Sequence, residues 1–300
     1  MRHFLTLRDF SKDEILGLLN FAECIKKEPK KLLVDKTLAM IFEKNSTRTR
    51  MAFELAITQL GGKALFLSSN DLQLSRGEPV KDTARVIGSM VDFAMLRVNS
   101  HQTLLEFVKY SKCPIINGLS DLYHPTQVLG DLLTMREYGK RGKVAFIGDS
   151  NNMCNSWLIA AAILGLEFSV ALPPNYEINA EILEFAKDKA RNSSAKLDIS
   201  TDKMRALKDA QVIITDTWVS MGQESEKEQR IKDFAGFIID EAAMSVADSG
   251  AIFLHCLPAY RGFEVSEQVF ERHSKEIFDE AVNRLYVVKA VLCFLDECRA

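Results

Sequence analysis

No C-x-x-C pair occurs among the six cysteines of this 300-residue sequence, which excludes a zinc ribbon and a thioredoxin-like motif. No apolar run reaches the roughly 18 residues that crossing a bilayer requires. Neither sign of charge dominates: 38 basic residues oppose 41 acidic ones, for a formal net charge of -3. A nucleic-acid binder's one-sided basic field is therefore missing. G-x-G-x-x-G is absent, and so is G-x-x-x-x-G-K-[ST], so neither a dinucleotide fingerprint nor a Walker A loop is present. There is no low-complexity tract and no short-period repeat. The first ten residues carry Arg2, Arg8 and Asp9 around no apolar core. No secretory signal is expected there, and reduced thiols in the cytoplasm are the default. Most of the cysteines are expected to be core residues; only Cys256 has a context that argues otherwise.

What is present is an ordinary globular composition, 47% hydrophobic and 26% charged. At roughly 100–200 residues per domain, the length suggests two domains. Ser11 and Glu14 form a capping-box pattern ahead of Ile15, Leu18, Leu19 and Ala22 at helical spacing. A strand at 37–42, a polar loop, a helix bearing Ala52, Leu55, Ala56 and Leu60, and a strand at 63–67 follow. Strand–helix–strand units of this kind build parallel sheets. The alternation continues with helices at 80–89 and 102–110 and strands at 91–98 and 114–116. A longer helix starts at His124-Pro125, with proline in its favoured first turn. A second series begins with strands at 143–147, 167–172, 211–215 and 251–255, with helices at 155–164 and 177–190. The pattern predicts an α/β protein with two doubly wound parallel-sheet domains joined by long helices. Their expected extents are residues 1–138 and 139–273. Whether the last helix, within 274–300, packs back on the first domain is left open by the pattern.

The segment Lys44-Asn45-Ser46-Thr47-Arg48-Thr49-Arg50 lies between a strand and a helix. In parallel α/β folds ligands bind where strands end. A helix start offers unpaired N–H groups and a positive dipole end, which suit an anion. Three hydroxyls and two guanidinium groups in one turn add donors shaped for phosphate. Alone, a capping serine with surface arginines is the commoner meaning of S-T-R; the density of donors after a buried strand reverses it.

Ser46-Thr47-Arg48-Thr49-Arg50 resembles the carbamoyl phosphate motif of the aspartate and ornithine carbamoyltransferases. Further similarity covers nearly the whole chain: Asp71-Leu72-Gln73-Leu74, His124-Pro125-Thr126-Gln127, Asp216 through Glu224, and His255-Cys256-Leu257-Pro258. The last two are characteristic of the ornithine branch. The resemblance implies a carbamoyl phosphate-binding first domain, an ornithine-binding second domain and an active site where they meet. It assigns Ser46, Thr47, Arg48 and Thr49 to phosphate, Arg97 to phosphate and carbonyl oxygen, and His124 and Gln127 to the carbamoyl group. Arg284 would complete that site, and Cys256 and Leu257 would touch the carbamoyl group through backbone carbonyls. Gln73 would serve a neighbouring subunit's site, since the family assembles as trimers. Arg50 would have a supporting role.

On the amine side the resemblance assigns Asn152, Asp216, Ser220 and Met221 to ornithine. A strand-end carboxylate such as Asp216 either caps a turn or orients a cationic amine. A cysteine beside it could take part in proton transfer. The catalytic set implied is Asp216, Cys256, Arg97 and His124. Glu224 to Arg230 is a charged run expected to be a solvated helix face. No metal or organic cofactor is expected, because carbamoyl phosphate is already activated. Acetylornithine, succinylornithine or putrescine as the amine, and a non-catalytic phosphate- or polyamine-binding module, are the alternatives. An aspartate enzyme would need arginines facing its second carboxylate.

Overall fold

The structure is a computed structural model that describes residues 1–68, 72–73, 77–219 and 223–299. The chain divides into two compact units, Met1–Leu133 with Val282–Ala300, and Thr134–Ala281. Both boundaries fall inside helices, Pro125–Glu137 and Ser274–Glu297. No helix among the described residues is long and apolar enough to cross a membrane.

The first unit is built on strands β1 (Thr37–Phe42), β2 (Lys63–Ser68), β3 (Phe93–Arg97) and β4 (Ile115–Leu119). They pair in the order β2-β1-β3-β4, all parallel. The inner strands β1 and β3 are apolar nearly throughout, because helices or neighbours cover both their faces. Ala39, Ile41, Ala94, Leu96 and Ile115 form the core with Phe107. β2 is one of the two edge strands, and Leu65 and Phe66 on it are exposed.

Helix Lys12–Lys27 opens with the full capping box of Ser11 and Glu14, as the sequence pattern predicts. Helix Thr47–Gln59 departs from the expected inner face at one position, since Ala52, Ala56 and Leu60 are buried but Leu55 is not. It buries Ala52, Phe53, Ala56 and Ile57, while Leu55 is exposed. Apolar residues occur on more than one side of this helix, and the sheet decides which side is inside. The last helix places Val288, Val291, Leu292 and Leu295 in buried positions. Lys26 Nζ donates to Asn283 Oδ1 at 2.8 Å, and Lys36 pairs with Asp296 at 3.3 Å.

In the second unit the strands are β5 (Val144–Ile147), β6 (Glu167–Ala171), β7 (Lys196–Ser200), β8 (Val212–Thr215) and β9 (Ile252–His255). Their order is β7-β6-β5-β8-β9, again all parallel. The sequence pattern does not show β7. It is an edge strand whose only aliphatic residues are Leu197 and Ile199, so the hydrophobic signal is weak. Helix Asn152–Leu164 is buried from Met153 to Leu164, which suits its apolar composition on all sides. Cys113, Cys154 and Cys293 are buried, but Cys24 and Cys298 are exposed, so fewer thiols pack in the core than composition suggests.

Gly130 sets a close approach. A Cβ there would lie 3.1 Å from Arg284 Cγ, so a larger side chain on helix Pro125–Glu137 would press on the arginine stem. Gly130→Val should displace Arg284 while leaving the helices formed. If Arg284 makes the contact that the resemblance implies, carbamoyl phosphate affinity should fall by about 10-fold or more, the scale of losing a charge-assisted bond. Calorimetric titration beside far-UV circular dichroism checks it; unchanged affinity would show that Arg284 does not reach the ligand.

Candidate active site

In the first unit β1 ends at Phe42, and the chain turns through residues 43–46 into helix Thr47–Gln59. Ser46 caps that helix, its hydroxyl accepting from Thr49 N at 3.3 Å. A helix start leaves first-turn N–H groups without partners inside the helix, the arrangement that binds anions. Parallel register places Phe42 opposite Arg97, so the two strand ends are neighbours. Arg97 is buried, and its Nη1 donates to Thr49 Oγ1 at 3.3 Å. Arg284 Nη2 donates to the same oxygen at 2.6 Å. Thr49 thus accepts from two cations, and its own hydroxyl hydrogen remains to be donated.

His124 is buried just before helix Pro125–Glu137. Burial, followed by the charges of Arg284, Arg97 and Arg48, holds its imidazole well below the usual histidine range. Both causes favour the neutral imidazole. Gln127 lies in the first turn of that helix and donates to Asp131 Oδ1 at 2.9 Å. Next to the loop is a cavity of about 380 Å³, lined by Lys44, Asn45, Ser46 and Thr47 among others. Arg50 also lines that cavity, where it pairs with Glu54 at 3.2 Å and lies 3.7 Å over the Phe66 ring. Gln73 is exposed, and its carbonyl accepts from Glu78 N at 3.1 Å. Asp71 and Leu74 lie outside the described residues.

The second unit collects its site from three adjacent strands. After β5 the chain passes Gly148, whose φ of 147° suits glycine, then Asp149 and Asn151. Asn151 caps helix Asn152–Leu164, accepting from Met153 N at 2.9 Å and Cys154 N at 3.2 Å. Its amide then donates to Asp216 Oδ2 at 2.7 Å. Asp216 follows β8, and its Oδ1 accepts from Thr217 N at 2.7 Å and from Cys256 Sγ at 3.0 Å. Cys256 follows β9. Asp216 therefore both closes a turn and meets the thiol; the two meanings of a strand-end carboxylate are not exclusive here. Behind Cys256, His255 Nδ1 accepts from Leu257 N at 2.9 Å, and its Nε2 faces Glu264 Oε1 at 3.2 Å.

Asn152, the residue with the implied ornithine contact, is the first residue of its helix, and its carbonyl accepts from Ser156 Oγ at 2.7 Å. Asn151, its neighbour, is the one bonded to Asp216. Ser220 and Met221 lie outside the described residues. The charged run ending at Arg230 is not a fully solvated face. Arg230 is buried and paired with the Asp149 carboxylate, while Glu226 and Glu228 stay exposed. A clue lies four residues on, since helical spacing puts Arg230 on the side of the fully buried Phe234. Burial and the Asp216 charge raise the Asp149 carboxyl to about 6 against the pull of Arg230.

Fold and site together define a class. One α/β unit offers a cationic, hydroxyl-rich helix start for a phosphate-bearing ligand, and the other a carboxylate–thiol pair suited to an amine. The chain belongs to the aspartate/ornithine carbamoyltransferase family: residues 2–137 match its carbamoyl-P binding domain and residues 140–295 its Asp/Orn binding domain. It is 74% identical over 303 residues to an ornithine carbamoyltransferase of Campylobacter jejuni, covering 100% of this chain and 99% of the relative. An ornithine carbamoyltransferase of Campylobacter curvus is 60% identical over the full length of both. Among solved structures, the anabolic ornithine carbamoyltransferase from Campylobacter jejuni superposes with a TM-score of 0.98 at 73% identity, covering 100% of both chains. The ornithine carbamoyltransferase from Pyrococcus furiosus superposes at 0.92 with 44% identity, covering 97% of this chain and 96% of the other.

The burial of His124 near these arginine charges makes a measurable demand. A histidine whose folded pKa is depressed stays neutral where an ordinary imidazole, with pKa near ~6.5, takes up a proton. We expect the His124 ring to remain neutral at pH 6 in nitrogen-detected NMR of the folded protein. Half-protonation near the ordinary value would mean that burial and the arginine charges do not depress it.

Proposed function

We propose that this chain transfers the carbamoyl group of carbamoyl phosphate to the side-chain amine of L-ornithine, giving L-citrulline and phosphate. The observation that carries this reading is the Cys256–Asp216–Asn151 cluster, which offers a carboxylate where an aspartate enzyme would need arginines. The family match and the names of the relatives support the same substrate pair. The Campylobacter jejuni relative named anabolic supports the citrulline-forming direction, in arginine biosynthesis.

Carbamoyl phosphate binds through Ser46, Thr47, Arg48 and Thr49 at the helix start, with Arg97, Gln127 and Arg284. Its dianion is matched by the guanidinium groups and by the N–H groups of the first turn. As the amine attacks, negative charge grows on the carbonyl oxygen. Thr49, Arg97 and the neutral His124 donate to it, a pre-aimed arrangement that needs no reorganisation. The ornithine ammonium, with pKa near ~10 in water, must lose a proton first. Asp216 attracts and orients it, and Asp216 and Cys256 are the groups that accept or relay the proton. Asn152, Ser220 and Met221 hold the amino-acid end. The bond to phosphate then breaks, and phosphate carries away the electron pair. Carbamoyl phosphate is its own activated donor, so the reaction as written calls on no metal or organic cofactor.

The working particle in this reading is a homotrimer in the cytoplasm, with Gln73 supplied to a neighbouring copy. Exposed Met51, Leu55, Leu65 and Phe66 on and beside the edge strand β2 support self-association. All six cysteines are free thiols, which supports a reducing compartment.

Two experiments test this reading. Asp216→Asn keeps size and most hydrogen-bond geometry but removes the charge. Ornithine turnover should fall by about 10²–10⁴-fold, the range for a proton-transfer group, with carbamoyl phosphate affinity little changed. A panel of ornithine, acetylornithine, succinylornithine, putrescine and aspartate on both forms is the measurement. Normal ornithine use by the mutant, or a wild-type preference for aspartate, would sink the assignment. Subunit sharing is tested by mixing two inactive parents, Arg48→Ala and Gln73→Ala. Hybrids should regain activity, because some of their sites carry neither change; a fully active monomer by sedimentation would contradict it.

A further inference from the structure

The Asp149–Arg230 pair has no part in the mechanism above, yet it is the most deeply buried arginine–carboxylate pair among the described ion pairs, with side chains 6% and 5% exposed. Burying both charges costs several kcal/mol per ion, which mutual attraction barely repays, so stability is a poor reason for the pair. What it touches is more informative. Arg230, on helix Lys227–Asp233, donates one guanidinium N–H to Asp149 Oδ2 and another, from Nε, to the Trp218 carbonyl at 2.5 Å. The rings of Tyr176 and Phe234 lie 4.9 and 5.2 Å from the guanidinium carbon and hold the plane. Glu226 approaches at 3.5 Å but is exposed, where solvent screens it.

Asp149 stands two residues before Asn151 in the loop after β5. Trp218 stands two residues after Asp216 in the loop after β8. Arg230 therefore ties together the same two loops that the 2.7 Å Asn151–Asp216 bond joins. A flexible lysine would supply the charge but not the rigid fork that satisfies a carboxylate and a carbonyl at once. Arg230 also faces Asp149, whose charge interacts with that of Asp216, and it opposes that charge.

We propose that Arg230 is a positioning residue for the amine: it sets the spacing of Asn151 and Asp216 and neutralises Asp149, so that Asp216 alone meets the incoming cation. This rests on the ornithine reading given above. It adds that discrimination for a side-chain amine depends on a residue that never touches the substrate.

The test compares L-ornithine with L-norvaline, which is ornithine without its side-chain amine, on the full-length enzyme with carbamoyl phosphate present. In Arg230→Gln, ornithine KM should rise by about 10-fold or more, while the norvaline inhibition constant and the carbamoyl phosphate Kd stay within about 2-fold. Arg230→Lys, which restores the charge on Asp149 without the fork, should recover part of the ornithine KM. An unchanged ornithine KM, or equal losses for ornithine and norvaline, overturns the proposal, the second because general loosening would move both. If Arg230→Gln does not fold, Asp149→Asn, which leaves the Trp218 bond available, is read by the same ratio. An unchanged ratio there overturns the tie between the two loops, because the acid that Arg230 neutralises is already gone. A wild-type enzyme that ignores ornithine overturns the substrate reading itself, and is seen before any variant is made.

Discussion

Every strand in both sheets runs parallel to its neighbours, and parallel strands return only through a crossover. The chain must therefore leave each strand at the same edge, where a loop leads into the next helix. The placement of functional groups follows from that constraint. In the first unit Phe42 and Arg97 face each other at the ends of β1 and β3, which brings an arginine to the Ser46 helix start. In the second, β5, β8 and β9 are adjacent, so Asn151, Asp216 and Cys256 meet although 105 residue numbers separate the first from the last.

The two units carry opposite electrostatic designs. The first concentrates Arg48, Arg97 and Arg284 around a hydroxyl and a neutral imidazole. Such a cluster is costly when empty and favourable with a dianion, which is how a phosphate site gains selectivity. The second gathers two carboxylates, Asp149 and Asp216, and gives one of them a buried cation. The remaining carboxylate faces a thiol and an amide, both able to donate. A single uncompensated acid suits a single ammonium group, and a second acid left bare would raise the proton affinity of both.

Much of this was legible in the linear chain because it depends on local order. Apolar runs and capping residues mark most strands and the longer helices, and the donors from Ser46 to Arg50 follow one another without interruption. The turn after β8 and the turn after β9 each keep their chemistry within a few residues. Those features determined the fold class, the anion loop and the family. The tertiary structure alone decided what depends on distant partners. It put Leu55 outside and Phe53 inside, because the sheet selects the helix face. It revealed β7, whose sparse apolar residues need an established neighbour to pair with. It joined Asn151 to Asp216, since a cap's second hydrogen bond reaches across to another strand end. And it buried Arg230 from within a run of charge, because a residue's exposure is set by what packs over it, and Tyr176, Asp149 and Trp218 arrive from elsewhere in the chain.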